Sequence, residues 1–149
     1  ALGTQSSAAT IPVTLAQTEK NGVRSNIAIF VVPLCATIHL SGSTMKIVAC
    51  AMAIMLLAGE PLSFLQMAGF ILMLGITMVA APGVPGGAIM AALGLLQSML
   101  GFNETLQALM IALYIAMDSF GTACNVTGDG AIAILIDRIA GNRMGVTTK

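Results

Sequence analysis

Two carboxylates sit inside a run of apolar residues, and no ordinary apolar helix tolerates that without a reason. The stretch is Asp118-Ser-Phe-Gly-Thr-Ala-Cys-Asn125-Val-Thr-Gly-Asp129, within an otherwise apolar segment that begins near Leu106. Asp118, Thr122, Asn125 and Asp129 are spaced four, three and four apart, which puts all four on one face of an α-helix. The composition fixes the solvent: 57% apolar and 8% charged residues, with mean hydropathy +0.96, against about 25% charged in soluble domains. This is the composition of a membrane protein. An ionised side chain at mid-bilayer costs at least ~2.5–3.5 kcal/mol, so such residues mark a binding site or an ion path. The competing reading is a soluble core helix carrying two capping Asp residues.

Net charge is zero and aromatic residues are 4% of the chain, which argues against nucleic acid as a partner. Cys35, Cys50 and Cys124 lie in apolar runs with no metal-ligand spacing, and read as small buried hydrophobes. There is no initiator Met, signal peptide or targeting tail, and the abrupt opening suggests part of a longer polypeptide.

Residues 1–20 open with Ser6-Ser7-Ala-Ala-Thr10-Ile-Pro12, with Pro expected in a first helical turn. The apolar piece that follows is too short to span, so it reads as the second arm of a re-entrant hairpin with a Ser-rich tip; an ordinary capped surface helix is the alternative. Residues 25–59 form an apolar run longer than the ~20 residues a span needs. Its centre, Ala36-Thr37-Ile-His39-Leu-Ser41-Gly42-Ser43-Thr44, is polar. Two half-helices joined by unwound backbone explain both facts, since irregular backbone is tolerated at membrane depth where it lines a cavity. One long tilted helix with self-bonded hydroxyls competes with this.

Residues 61–101 read as a second helical hairpin, turning at Pro82-Gly83-Val84-Pro85-Gly86-Gly87, which cannot continue a helix. Residues 105–141 form the helix with the polar face, and 142–149 a tail. Lys and Arg outside the apolar runs fall at Lys20, Arg24, Arg138, Arg143 and Lys149, while the breaks at Glu60 and Glu104 carry none. The positive-inside rule then puts the first break and the C-terminus in the cytoplasm. The expected fold class is all-α integral membrane, with two re-entrant helical hairpins (the first only partly present) and two transmembrane helices, one broken at its centre.

A Ser-rich tip, a broken helix, a Gly-Val-Pro-Gly hairpin and an Asn-Val-Thr-Gly-Asp helix, in that order, resemble the dicarboxylate/amino-acid:cation symporter family of glutamate transporters and their bacterial homologues. The resemblance implies the C-terminal part of a mobile transport domain in a multi-pass plasma (inner) membrane protein. It also implies a homotrimer formed through upstream segments. Substrate binding is implied at Ser6, Ser7, Ser43, Gly83, Val84, Asp118, Thr122 and Asn125, with Asp118 holding a substrate amino group. Sodium is expected at Asp129, with main-chain carbonyls of Cys35, His39 and Asn125; a second ion site is implied at carbonyls near Thr37, Met78, Val79 and Ala81. No cofactor and no enzymatic activity are implied.

The departures are informative. The family's Asn-Met-Asp-Gly-Thr is here His39-Leu-Ser41-Gly-Ser43, so a sodium-ligating Asp and Asn are replaced by Ser41 and His39. Arg residues that grip a substrate side-chain carboxylate are replaced by Gly121 and Gln5, which favours a neutral amino acid. Lys46 adds a charge that needs a partner. His39, Ser41 and Lys46 are therefore coupling candidates. Either fewer sodium ions are coupled, or His39 protonation takes over part of the role; alternatively His39 and Ser41 only bond unwound backbone and Lys46 snorkels to the interface. The resulting expectation is cation-coupled uptake of a small amino acid or dicarboxylate by alternating access. A channel or a non-transporting binding homologue with an altered ion site is the alternative.

Overall fold

The computed structural model describes residues 1–143, all of whose regular elements are helical. The tail expected at 142–149 lies almost wholly outside the described residues. Helix α1 (Ser7–Lys20) starts from Ser6, whose hydroxyl accepts from Ala9 N at the N-cap, as short hydroxyl side chains do. Pro12 was expected in the first turn but lies inside the helix, because the Ser6 cap starts it earlier.

The overlong apolar run divides into α2 (Ser25–Ile38) and α3 (Ser41–Leu57), and only His39 and Leu40 leave helical geometry. The polar centre is therefore a two-residue break, not one tilted helix. Thr37 and Thr44 bond back to Leu34 O and Leu40 O, so their hydroxyls serve the helix ends. Helices α4 (Phe64–Val79) and α5 (Gly87–Leu100) pack as a hairpin. They run antiparallel, since Gln66 near the start of α4 donates to Met99 O near the end of α5.

The last segment departs from expectation. Instead of one helix over 105–141 there are two, α6 (Glu104–Ala116) and α7 (Asp118–Arg143), interrupted at Met117. The physical cause is visible in the hydrogen bonds. Tyr114 O, which a continuous helix would give to Asp118 N, instead accepts from Met117 N and from Lys46 Nζ at 3.2 Å. A side chain inserted into the helical ladder is a recognised cause of a kink. Asp118 thereby becomes the first residue of α7, where the helix dipole favours a negative charge.

Two apolar clusters hold the helices. One joins α3, α4, α5 and α6 through Ile47, Ile54, Phe70, Leu74, Ile89 and Tyr114. The other joins α2 and α7 through Val31, Val32 and Ala133, with Ile11 and Leu15 of α1 packed against it. Helix α7 packs against α1, α2 and α3, so its polar face is enclosed by protein. At the far end of α7, Arg24 Nε binds Asp137 Oδ1 at 2.7 Å, which ties the first polar break to the C-terminal end of that helix. Cys35 and Cys50 are buried, but Cys124 is exposed, correcting its reading as buried. It lies one position off the polar face, with its Cβ close to Gly42.

Ser25–Leu57 and Asp118–Gly141 are long and apolar enough to cross a membrane.

Candidate functional site

The four residues of the polar face are buried together, each 3% exposed or less: Asp118, Thr122, Asn125 and Asp129. The reading from their spacing holds. Three centres are built on this face, one per pair of opposing elements.

The first lies where the start of α1 meets the turn between α4 and α5. Ser6 Oγ donates to Gly83 O at 2.8 Å, and Ala8 N donates to the same carbonyl at 3.2 Å. Beneath this contact is a small cavity of about 10 Å³ lined by Ser7, Ser43, Gly83, Asp118, Thr122 and Asn125, among others, room for roughly one water molecule. Val84 lines it too, though half exposed. Of the expected substrate residues, only Ser6 stands aside, because its hydroxyl is committed to Gly83 and Ala9. Asp118 is held from both sides. Its Oδ1 accepts from Lys46 Nζ at 2.8 Å and its Oδ2 from Gly86 N at 3.1 Å. Gly86 has φ +72, a conformation glycine adopts without strain. Lys46 is 9% exposed and also faces the Tyr114 ring, 3.3 Å from its centroid. It does not snorkel.

The second centre is the helix break. Leu40 offers no side-chain cap to α3, and Asn125 supplies one from another helix. Asn125 Oδ1 accepts from Gly42 N at 2.8 Å and Ser43 N at 3.4 Å, while its Nδ2 donates to Ser43 Oγ at 3.0 Å. This cross-helix cap satisfies amide groups that a helix start otherwise leaves bare. Gly42 is required there, because a Cβ would come within 2.5 Å of Gly121 O. Asn125→Leu is expected to destabilise the protein by about 2–4 kcal/mol, since it leaves a buried amide and a hydroxyl unpaired. Chemical unfolding of the full-length protein in detergent measures this, and an unchanged midpoint would contradict the capping role.

The third centre surrounds Asp129. His39 Nδ1 lies 2.8 Å from Asp129 Oδ1, a bond in which the imidazole donates whenever the carboxylate is ionised. The other oxygen, Oδ2, is the one buried side-chain nitrogen or oxygen among the described residues with no hydrogen-bond partner. An unpartnered carboxylate oxygen in a dry site is costly, and it suits a hard cation, which prefers oxygen ligands. Cys35 O, at the end of α2, accepts from His39 N at 2.8 Å. The expected second ion set is less assembled. Met78 and Ala81 are buried, whereas Val79 and Thr37 are exposed, and they lie at the ends of α2 and α4, which pack together. Both ends carry the negative pole of a helix dipole. Ser41 is exposed at the start of α3 and makes none of the site's side-chain hydrogen bonds described above.

Residues missed from the sequence are Tyr114, Gly86 and Gly128. Tyr114 supplies a ring and a carbonyl to Lys46, Gly86 an amide to Asp118, and Gly128 the gap in which the His39 imidazole sits. The only sequence signal for any of them was that a buried Lys46 demanded a partner.

Comparison with known proteins extends this geometry. Residues 1–139 match the profile of the sodium:dicarboxylate symporter family. An excitatory amino acid transporter of Caenorhabditis elegans is 31% identical over 156 residues, covering 100% of this chain and 31% of that protein. One from Onchocerca volvulus is 30% identical over 155 residues, with 99% and 31% covered. The neutral amino acid transporter B(0) of Rattus norvegicus is 29% identical over 143 residues, with 93% and 26% covered. The chain thus spans less than a third of the length of these relatives. With the profile matched along almost all of its length, this membrane-embedded chain belongs to the sodium:dicarboxylate symporter family.

Proposed function

We propose that the full-length polypeptide carrying this chain is a cation-coupled symporter for a small amino acid or dicarboxylate, working by alternating access. The single observation that carries this reading is the pair of hairpin tips bonded over a buried carboxylate face. Ser6 and Ala8 bind Gly83 O, and Gly86 N binds Asp118 beneath. A closed tip contact of this kind suits occlusion of a solute better than a continuous pore, so the carrier is favoured over the channel.

In this reading α1, with the Ser-rich tip, is the second arm of one re-entrant hairpin. The α4–α5 pair is the gate, and α2–α3 and α7 cross the bilayer of the plasma membrane with the C-terminus in the cytoplasm. The solute sits between the tips against Ser7, Ser43, Thr122 and Asn125. A sodium ion completes the coordination of Asp129 Oδ2, with carbonyls from the helix break. Loading lets the gate close and the domain move. Each of these steps is binding and displacement, with no bond made or broken, so no organic cofactor is needed. Trimer formation, through segments outside this chain, completes the proposal.

The expectation of a neutral amino acid rests on the absence of a fixed cation at Gly121 and Gln5. Gln5 Nε2 donates to Ser119 Oγ at 3.1 Å, which adds no charge. Lys46 Nζ, however, lies 3.2 Å from where a Cβ on Gly121 would stand. A cation therefore occupies that region, supplied by a different helix, and the premise for neutral preference falls away.

The test is uptake by the full-length protein in proteoliposomes against amino acids and dicarboxylates, with sodium and proton gradients imposed separately. Saturable uptake driven by a cation gradient is expected. Flux that fails to saturate would point to a pore, and binding without counterflow to a non-transporting homologue.

A further inference from the structure

Asp118 is the one charged residue lining the cavity under the hairpin tips. Among the described residues it is thus the one charged anchor there for a ligand ammonium. That anchor is already taken, on Oδ1 by Lys46 Nζ at 2.8 Å and on Oδ2 by Gly86 N at 3.1 Å. Lys46 reaches it from α3 by passing over Gly121, where any Cβ would stand 3.2 Å from the ammonium. The opening at Gly121, the Tyr114 ring and the freed Tyr114 carbonyl all serve this one side chain.

We propose that Lys46 is a specificity residue that acts as the cavity's own ammonium, holding the place at Asp118 that an α-amino group would need, so that the site prefers small carboxylates without an amino group. This deepens the carrier reading and rests on it. The physical argument is a choice between two penalties. An amino-bearing ligand must share Asp118 with Lys46, bringing two cations close together where the dielectric is low. Otherwise it displaces Lys46 and leaves a buried charge unpaired, which is strongly unfavourable. A carboxylate without the amino group meets neither penalty. The hydroxyls of Ser7, Ser43 and Thr122 and the amide of Asn125 line the cavity as neutral donors for it, with the Lys46 charge close by. Discrimination of this kind comes from a built-in repulsive element, as specificity often does.

The experiment measures binding by calorimetry to the full-length protein, using pairs that differ in the amino group alone: succinate against aspartate, and propionate against alanine. Wild type is expected to bind the amino-free member of each pair at least about tenfold tighter. Lys46→Met frees Asp118 and is expected to reverse the order. In that variant methylammonium should also raise the thermal midpoint, by restoring a cation to Asp118, while leaving wild type unmoved. Should Lys46→Met fail to fold, Lys46→Met/Asp118→Asn removes both charges together and is expected to lose the discrimination. Equal or tighter binding of the amino-bearing member by wild type overturns the proposal, as does discrimination unchanged in whichever variant folds. Uptake is scored separately. A binding preference without uptake overturns the carrier reading and leaves the role of Lys46 standing, whereas no binding of any of the four ligands overturns both.

Discussion

In the proposed symporter, Asp129→Ala is expected to leave almost no uptake by the full-length protein at sodium concentrations that support it in wild type. Asp129 is 1% exposed, is engaged on one oxygen by His39 and has its other oxygen unpartnered. Losing even an outer partner of a metal ligand costs roughly 10–100-fold in metal affinity. Removing the sole carboxylate of this centre should exceed that, shifting the sodium concentration for half-maximal uptake by more than about 100-fold. The variant should remain folded, because the change also removes the uncompensated buried oxygen. His39 would lose its acceptor, but it is only partly buried within this chain. The measurement is uptake against sodium concentration, with the thermal midpoint recorded alongside. Sodium dependence that survives with a normal midpoint would place the ion elsewhere.

Much of this arrangement is legible from spacing and hydropathy. The positions 118, 122, 125 and 129 define a face by helical periodicity alone, and all four are buried. The helix break is legible because an apolar run too long for one span has a polar, Gly-containing centre, and His39 and Leu40 indeed leave the helix. What stays hidden depends on partners remote in the chain. The interruption at Met117 has no proline or glycine to announce it; it follows from Lys46, 68 positions away, bonding Tyr114 O. The contact of Ser6 with Gly83 spans 77 positions, and no local pattern at the start of α1 or in the α4–α5 turn names the other. Gly121 shows the same limit. Its lack of a side chain reads as a missing cation, yet in three dimensions it is the opening through which a cation enters.

Charge placement links these pieces to coupling. The helix-break position Ser41 carries no carboxylate, while Lys46 adds a fixed cation that is neutralised within the protein by Asp118. Asp129 is then the carboxylate in the buried face without a fixed cation against it, its one side-chain partner being the His39 imidazole. Fewer mobile cations are needed to make such a face neutral. A neutral face matters because a buried unpaired charge is costly to carry through a low-dielectric medium.

Gly83→Val is expected to slow uptake by roughly 5–150-fold while leaving the protein folded. A Cβ at residue 83 would stand 2.5 Å from Ala36 O and 3.7 Å from Ala8 N, so the obstruction is backbone, which cannot swing aside as a flexible side chain would. Ala36 lies near the end of α2, and Ala8 in the first turn of α1, so a valine is pushed off Ala36 O while Ala8 N is in ordinary contact. The carbonyl of residue 83 would then withdraw from Ser6 Oγ and Ala8 N, the two bonds that hold the tips together. Overpacking a close-fitted contact costs about 1–3 kcal/mol. In the proposed carrier, where this contact is the closed state of the gate and parts on opening, that cost shifts the open–closed equilibrium by roughly 5–150-fold. Stability should change little, because residue 83 lies at a loop tip outside both apolar clusters. Maximal uptake rate and thermal midpoint, measured together, separate the two effects. Unchanged turnover would show that closure does not pass through this contact, and a collapsed midpoint would make Gly83 a folding residue in place of a gate residue.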